Sequence, residues 1–198
     1  RKWRQETERI LYDVLNSPES GFHMAMYEDN LHLGFFGNAP MLVLDRPGNL
    51  PLFLSLPLPE CLLDKNQDNR VDTIIRTYKK SAKQLVQAFP EAAKSNRVRA
   101  AINTNAAEKF TCIHAIRPRK SAIMGSRNAL AMPWESLYVL VEEKMLLEES
   151  GFESFPAVVS RWIVSASEIY GRGCGDRALA DTRMLMEIKR SGIKARQL

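Results

Sequence analysis

The stretch from Arg161 to Asp181 constrains the fold of this chain more than any other, because it combines an extended segment, a sharp turn and a helix start. β-Branched and aromatic residues are frequent from Ala157 to Val164, which favours a strand. Three glycines follow, at positions 171, 173 and 175, and glycine takes positive φ without a Cβ penalty. Asp176 carries a short carboxylate that suits the first turn of a helix. A glycine turn is therefore predicted between a β region and a C-terminal helix that starts near Asp176.

The same glycines allow a second interpretation, as a loop that cradles a phosphate group. The sequence G-R-G-C-G lies between a predicted strand and a predicted helix, as such loops do. It has neither the full spacing of a dinucleotide-binding fingerprint nor the lysine of a P-loop. A structural turn is the favoured interpretation.

Composition narrows the class of protein. The 198 residues are 45% hydrophobic, which is ordinary for a globular chain, and the net charge of +5 is compatible with nucleic acid or an acidic partner. The three cysteines are odd in number, far apart and without a C-x-x-C pair, so neither a disulfide framework nor a zinc site is expected. No catalytic residues, metal or cofactor are predicted, and the chain is not expected to be an enzyme.

Targeting signals also bear on the class. No window approaches the roughly 18 apolar residues of a membrane-spanning helix. The start, RKWRQETERI, has no signal-peptide core, so a soluble protein that is not secreted is expected. The first residue is not methionine and both ends interrupt helical patterns, which indicates a fragment lacking both termini.

Hydrophobic periodicity predicts two N-terminal helices. Residues 1–16 place Trp3, Ile10 and Leu11 on one side and end before Pro18. Residues 21–38 are rich in aromatic residues and methionine, which predicts a buried helix that ends at Gly37-Asn38.

The period changes after Pro40, and short strands are predicted. The predicted strands are 41–44, 52–56, 60–63, 71–78, 109–117 and 134–141. Ser81 and Gln84 form a capping-box pattern, so a helix from about 82 to 88 is predicted, followed by surface helix and loop over 91–107. A loop is expected over 121–132 and a leucine-rich piece over 144–151.

Two other groups of residues were candidates for chemistry. The polar run 64–69 has oxygen ligands at alternate positions but lacks the glycine and distal glutamate of a calcium loop, so a solvated hairpin loop is favoured. Cys112 and His114 share a face of one predicted strand, as a nucleophile and base would. Nothing nearby supplies an orienting acid or oxyanion donors, which favours a structural role.

Several short segments resemble, in order, the portal proteins or head-to-tail connectors of short-tailed bacteriophages. The motif around the glycine turn supplies Arg161, Trp162, Glu168, Tyr170, Gly171, Arg172 and Gly173. The other matching segments are Val71-Asp72, Arg76-Thr77-Tyr78, Ser81 to Gln84, Phe89, His114 to Arg119, Ser150-Gly151-Phe152 and Phe155-Pro156. Cys174 and Ala180 stand where the family usually has proline, which makes the turn less rigid.

The resemblance implies a structural subunit. Portal proteins form rings of about twelve subunits at one capsid vertex. Double-stranded DNA passes through the channel during packaging and ejection, without sequence-specific contacts. The ring docks the terminase, the capsid and tail adaptor proteins. The expected location is the capsid vertex of the virion, or the host cytoplasm during assembly. The gene could also belong to a prophage, and no membrane partner is expected.

The C-terminal segment is basic, which leaves alternatives open. Residues 157–198 carry eight basic and four acidic side chains, a net charge of +4. The candidate DNA or subunit contacts are Arg172, Arg177, Arg183, Arg190 and Lys194. A solvated helix face is one interpretation and a surface for DNA phosphates is the other. A phage-type DNA-binding protein or DNA-acting enzyme is the alternative function, and an adaptor without DNA contact is a third.

The predicted fold class is α+β. N-terminal helices occupy residues 1–39, and a mainly antiparallel β region with a helical insertion around 80–107 occupies 40–165. The glycine turn and basic helix occupy 166–198. In the terms used for portals these segments resemble parts of the wing, stem and clip, and exposed apolar patches are expected because portal subunits bury much of their surface against neighbours.

Overall fold

The structure is a computed structural model that describes residues 2–46, 49–123 and 128–195. The predicted α+β class is confirmed: the described residues contain five α-helices and two antiparallel sheets. The helices are α1 (Lys2–Asn16), α2 (Phe22–Phe36), α3 (Ala82–Ala88), α4 (Asn96–Thr104) and α5 (Cys174–Ala195). The strands are β1 (Asn38–Leu44), β2 (Leu52–Ser55), β3 (Cys61–Lys65), β4 (Val71–Ser81), β5 (Lys109–Pro118), β6 (Trp134–Leu140), β7 (Met145–Phe152) and β8 (Ala157–Arg161).

The chain forms two compact units. Residues 1–58 and 157–198 make the first unit, and residues 59–156 make the second. These bounds differ from the three predicted segments, which divide the chain by type of secondary structure and stay a prediction.

The second unit contains a five-stranded sheet in the order β3-β4-β5-β6-β7, with each neighbouring pair antiparallel. Alternate residues of β5 point into the core, so Phe110, Cys112, His114 and Ile116 are all buried. The prediction that Cys112 and His114 share one face of this strand is confirmed. Ten buried residues form the main cluster: Ala82, Leu85, Phe89, Ala92, Val98, Ala101, Phe110, Cys112, Leu140 and Leu147.

Two capped helices cover part of this sheet. Ser81 accepts a hydrogen bond from the backbone N–H of Gln84, and the Gln84 side chain accepts one from the Ser81 N–H, as the capping-box pattern predicts. Ser95 caps α4 by accepting from the Val98 N–H at 3.0 Å. The 91–107 segment was predicted to lie on the surface, but Val98 and Ala101 of α4 are buried in the core.

The first unit contains a three-stranded sheet in the order β2-β1-β8. The β1–β2 hairpin was predicted, but the pairing of β1 with β8 joins segments more than a hundred residues apart. Part of the turn between β1 and β2 lies outside the described residues. Six apolar side chains of the described residues are buried here: Ala25, Ala39, Pro40, Met41, Leu42 and Leu56.

The prediction that α2 is a buried helix was wrong. Its ends agree with the sequence, since Gly37 at φ 73° closes the helix by donating to the Leu33 carbonyl at 3.0 Å. Only Ala25 and Asp29 are buried along it. The helix is apolar around more than one face, whereas one face alone can pack on a neighbouring sheet, so its remaining apolar side chains are exposed.

Candidate functional site: a backbone clasp at the base of an exposed helix

The glycine turn closes around the end of α2. The Asn38 side chain, 2% exposed, donates from Nδ2 to the Gly171 carbonyl at 2.9 Å and accepts from the Gly171 N–H at Oδ1 at 2.6 Å. The Trp162 N–H donates to the Gly37 carbonyl at 2.9 Å. We call this arrangement of Gly37, Asn38 and residues 161–173 the clasp. It ties the end of β8 and the start of α5 to the end of α2 through backbone groups.

The glycines of the turn are required because they leave room for a close approach of two backbone segments. The prediction that they provide positive φ was wrong. Among the described glycines only Gly21 and Gly37 have positive φ. A Cβ on Gly173 would lie 2.6 Å from the Gly37 nitrogen, and one on Gly171 would lie 2.6 Å from the Gly37 oxygen. A Cβ on Gly175 would lie 2.4 Å from the Phe35 oxygen. The backbone at positions 171, 173 and 175 therefore lies so close to the end of α2 that no side chain fits between them.

Three successive amides of the glycine loop, at positions 171 to 173, donate hydrogen bonds within the protein. The Gly171 N–H donates to Asn38, and the Arg172 N–H donates to the Ile163 carbonyl at 2.8 Å. The Gly173 N–H donates to Oδ2 of Asp176 at 3.1 Å. A phosphate cradle needs such amides to point at the ligand, so the loop acts as a structural turn. Asp176 accepts at the helix start as predicted, although α5 begins two residues earlier, at Cys174.

The side chains of the predicted motif lie around the clasp. Nη1 of Arg161 donates to the Ile169 carbonyl at 3.2 Å, and Glu168 forms an ion pair with Arg172. Trp162 and Tyr170 are partly exposed, whereas Gly171 and Gly173 are buried. The structure thus brings the motif together as a joint. Arg172, a candidate DNA contact, is engaged with Glu168.

The other candidate contacts are spread along α5. Arg177, Arg183 and Arg190 are exposed, and the side chain of Lys194 lies outside the described residues. Every described side chain of α5 from Asp176 onward is exposed. Leu179, Met186 and Ile193 recur at intervals of seven and form an apolar stripe beside Arg183 and Arg190. The basic face is therefore also an apolar face.

The sequence did not identify the roles of Asn38, Asp29 and Ser55. Gly37-Asn38 was recognised as a helix end, but the link from the Asn38 side chain to Gly171 spans 133 positions and leaves no local signal. Asp29 is buried and accepts a hydrogen bond from the Ser55 hydroxyl at 2.6 Å. Burial raises the pKa of the Asp29 carboxyl, although the Ser55 hydrogen bond opposes that shift.

Cys112 and His114 pack inside the second unit. The His114 ring stacks on Tyr138 with centroids 3.9 Å apart, and its Nε2 lies 2.9 Å from the Ser136 hydroxyl. Burial lowers the pKa of His114 to about 4 and raises that of Cys112 to about 11. Both groups are neutral near pH 7 and away from solvent, which agrees with a structural role.

Three observations on the described residues bear on the other kinds of site and segment that the sequence raised. No cluster of three or more histidine, cysteine or carboxylate side chains is arranged to hold a metal ion in the part of the chain that the structure describes. In the 64–69 loop, Asn66 Oδ1 accepts from the backbone N–H groups of Asp68 and Arg70, so it forms the turn itself. Within the described ranges no helix has the length and apolar character needed to cross a membrane.

The site is thus a structural joint that presents a long, exposed helix. The model of one protein family, described as bacteriophage head to tail connecting protein, matches residues 1–198. The chain belongs to this family.

Curated relatives agree with this assignment. The chain is 33% identical over 186 residues to a probable portal protein of Bordetella phage BPP-1, and 27% identical over 187 residues to the portal protein of Salmonella phage epsilon15. Each match covers 92% of this chain and 33% of the relative. The chain therefore spans about a third of the length of these relatives.

Proposed function

We propose that this chain is part of a portal subunit that assembles with copies of itself into a ring at one vertex of the capsid. The ring would have about twelve members and a channel for double-stranded DNA during packaging and ejection. The terminase would dock on it during packaging, and the tail adaptors afterwards. Its place is the virion, after assembly in the host cytoplasm, and its role is structural rather than enzymatic.

The observation that supports assembly most is the apolar surface of the first unit. Met24, Tyr27, Leu31 and Phe35 form one stripe along α2, and Met24 and Phe35 are 68% and 65% exposed. α1 has no buried residue and exposes Trp3, Ile10, Leu11 and Tyr12. Together with the stripe on α5, these surfaces are more apolar than soluble monomers usually expose, which favours burial against other subunits.

Assembly of the complete gene product is the test. Its mass in solution is measured by light scattering after size exclusion, and its shape by negative-stain microscopy. The proposal predicts a single large species with a central hole. A monomer at all concentrations up to about 100 µM, a range in which weak protein complexes form, would overturn it.

We infer that Arg183 and Arg190 face DNA or a neighbouring subunit in this ring. They lie seven residues apart on one face, next to the apolar stripe of α5. If they contact DNA, Arg183→Ala with Arg190→Ala reduces the salt dependence of DNA binding, because fewer counterions are released. Unchanged DNA affinity together with weaker assembly would assign them to the subunit contact instead.

The alternative of a DNA-acting enzyme has less support. The amides of residues 171 to 173 in the glycine loop already donate to acceptors within the protein, so they are not available to a phosphate. Cys112 and His114 are buried, away from any substrate in solvent. Nucleotide-dependent or metal-dependent cleavage of DNA by the purified protein would favour the alternative.

A further inference from the structure

Charge is strongly segregated within the second unit. Residues 71–120 contain eleven basic and three acidic side chains, a net charge of +8. Residues 134–156 contain one basic and six acidic side chains, a net charge of −5. The modest net charge of the whole chain conceals this division.

The acidic side chains lie at one edge of the five-stranded sheet. β7 is the last strand in the sheet order, so one of its sides has no hydrogen-bonded strand in the described part of the chain. Exposed glutamates follow this strand and the turn before it. They are Glu143, Glu148 and Glu149. Glu142, in the same turn, reaches toward β5 instead, where its Oε1 accepts a hydrogen bond from the Thr111 N–H at 2.7 Å. We call β7 with this turn the acidic edge.

A basic segment lies toward the opposite side of the same sheet. The pairing of β4 with β3 ends at Arg76, whereas its pairing with β5 continues to Ser81. The last residues of β4, 77–81, therefore have a strand neighbour on one side only among the described strands. Lys79 and Lys80 belong to this segment and Lys83 follows in α3, and we call residues 77–83 the basic edge.

Part of this charge is balanced within the molecule and part is not. Arg119 pairs with Glu149 at 2.7 Å, and Arg117 pairs with Glu135. Among the described residues, Lys79 and Lys83 form no ion pair, and neither do Glu143 and Glu148. Both edges therefore keep exposed charges of one sign.

The glutamates of β7 are too far from the lysines of β4 to neutralise them within one molecule. β4 and β7 are separated by two strands, and three strand spacings amount to about 14 Å, beyond a Debye length at physiological ionic strength. Opposite charges at opposite edges suit a head-to-tail contact, in which one surface of each copy meets a different surface of the next. Contacts of this type form a closed ring where the rotation between successive copies divides a full turn, and an open filament where it does not.

We propose that the acidic edge of one copy docks against the basic edge of a second copy of this chain. This inference rests on the proposed function for the presence of further copies, and it assigns two of the surfaces that meet. A second copy accounts for both edges together. Nucleic acid would account for the basic edge alone, and the acidic edge would repel it.

Charge exchange tests this contact in the complete gene product. The first variant carries Glu143→Lys and Glu148→Lys, and the second carries Lys79→Glu and Lys83→Glu. Each variant alone has two edges of the same sign, so its self-association should weaken at least about tenfold, as for other like-charge contacts. A mixture of the two should associate as the wild type does, and so should a single chain with all four exchanges. This restoration also shows that the variants fold.

The matched control is Arg70→Glu with Lys120→Glu, which makes the same change of charge at the other end of β4 and β5. It should assemble as the wild type does. Size exclusion with light scattering measures all five samples, and DNA binding is measured in parallel.

The outcomes separate this contact from the proposed function. Wild-type rings together with unchanged assembly of both variants would overturn the contact and leave the ring intact. Association of the mixed variants without closed rings would support the contact and count against the ring. Loss of DNA binding by Lys79→Glu with Lys83→Glu, with normal assembly, would make the basic edge a nucleic-acid surface and overturn the contact.

Discussion

The two units of this chain bury their apolar side chains to very different extents. The second unit has a continuous core of helix and strand residues, with Phe110 1% exposed and two capped helices over the sheet. Among its described residues, the first unit buries six apolar side chains and exposes stripes of large apolar side chains on α2 and α5. The second unit thus has its own core, whereas the first unit exposes apolar surfaces that the proposed assembly would bury.

Under the proposed function, this difference separates residues that stabilise the fold of one subunit from residues that stabilise the assembly. Removing a large apolar side chain from a closed core costs its transfer free energy and leaves a cavity. Removing one from an exposed surface costs little until a partner covers that surface. Truncation of a large apolar side chain should therefore destabilise the subunit itself in the second unit, whereas in the first unit it should mainly weaken assembly.

The largest effect is expected for Phe110→Ala in the second unit. Phe110 lies between the strands and the α3–α4 pair, so its truncation should reduce the free energy of unfolding by about 4 kcal/mol. The matched variant is Phe35→Ala in α2, which should leave the unfolding of the dissociated subunit within about 0.5 kcal/mol of the wild type while weakening assembly. Urea unfolding and light scattering measure the two effects. A large loss of subunit stability from Phe35→Ala would contradict the comparison.

The next effect is a pH dependence located in the second unit. Burial lowers the pKa of His114 from 6.5 to about 4, so the unfolded chain binds this proton more readily than the folded chain. Its contribution is present above pH 6.5 and is lost as the pH falls to 4, by up to about 3 kcal/mol. In the first unit, burial raises the pKa of Asp29, so the folded chain holds this proton more readily than the unfolded chain. The contribution of Asp29 to the free energy of unfolding therefore falls as the pH rises.

The variant His114→Gln measures the histidine contribution. Its unfolding free energy should change less between pH 7 and pH 4 than that of the wild type. An equal change in both proteins would show that the buried His114 does not couple stability to pH.

The clasp gives the third effect, in the first unit. Gly173→Ala places a Cβ against the backbone of Gly37 and should cost about 2 kcal/mol through overpacking. Gly192→Ala in α5 is the matched control, since nothing lies within 4 Å of its added Cβ and alanine favours a helix by up to about 1 kcal/mol. Thermal unfolding followed by circular dichroism compares the two. Equal stability of both variants would show that the clasp does not hold α5.

The smallest effect belongs to a helix cap in the second unit. Ser81→Ala removes the acceptor for the Gln84 N–H and should cost about 1 kcal/mol in unfolding free energy. Ser81→Thr, which keeps the hydroxyl, should lose less than half of that. If the two variants lose the same amount, the capping hydrogen bond is not what stabilises α3.

Local signals account for the parts of the fold that were predicted. The capping box placed α3 at the residues where it is observed. Alternation placed β5, and a run of aromatic and apolar residues placed β6, each to within one residue of its ends. Gly37 marked the end of α2 because a left-handed residue after a helix is a local requirement. The family assignment is confirmed, and its matching segments lie on β4, α3, β5 and β7 and around the clasp.

Non-local contacts account for what the sequence missed. β7 was identified only as a leucine-rich piece, because its residues alternate weakly and its pairing with β6 shifts register at Tyr138 and Val139. The exposure of α2 depends on how many of its apolar faces pack against other parts of the chain, and the composition of the helix does not determine that number. The clasp depends on Asn38 reaching Gly171, and glycines that serve close approach look the same in sequence as glycines that serve positive φ.

Hydrogen exchange tests the central contrast between the units most directly. Backbone exchange is compared between the assembled and the dissociated forms of the complete gene product, separated by size exclusion. The account predicts that amides of α1, α2 and α5 become strongly protected on assembly, while those of β5 and β6, paired on both sides, stay as they were. Equal protection of α1, α2 and α5 in both forms would show that neighbouring copies do not complete the first unit, and would contradict the account.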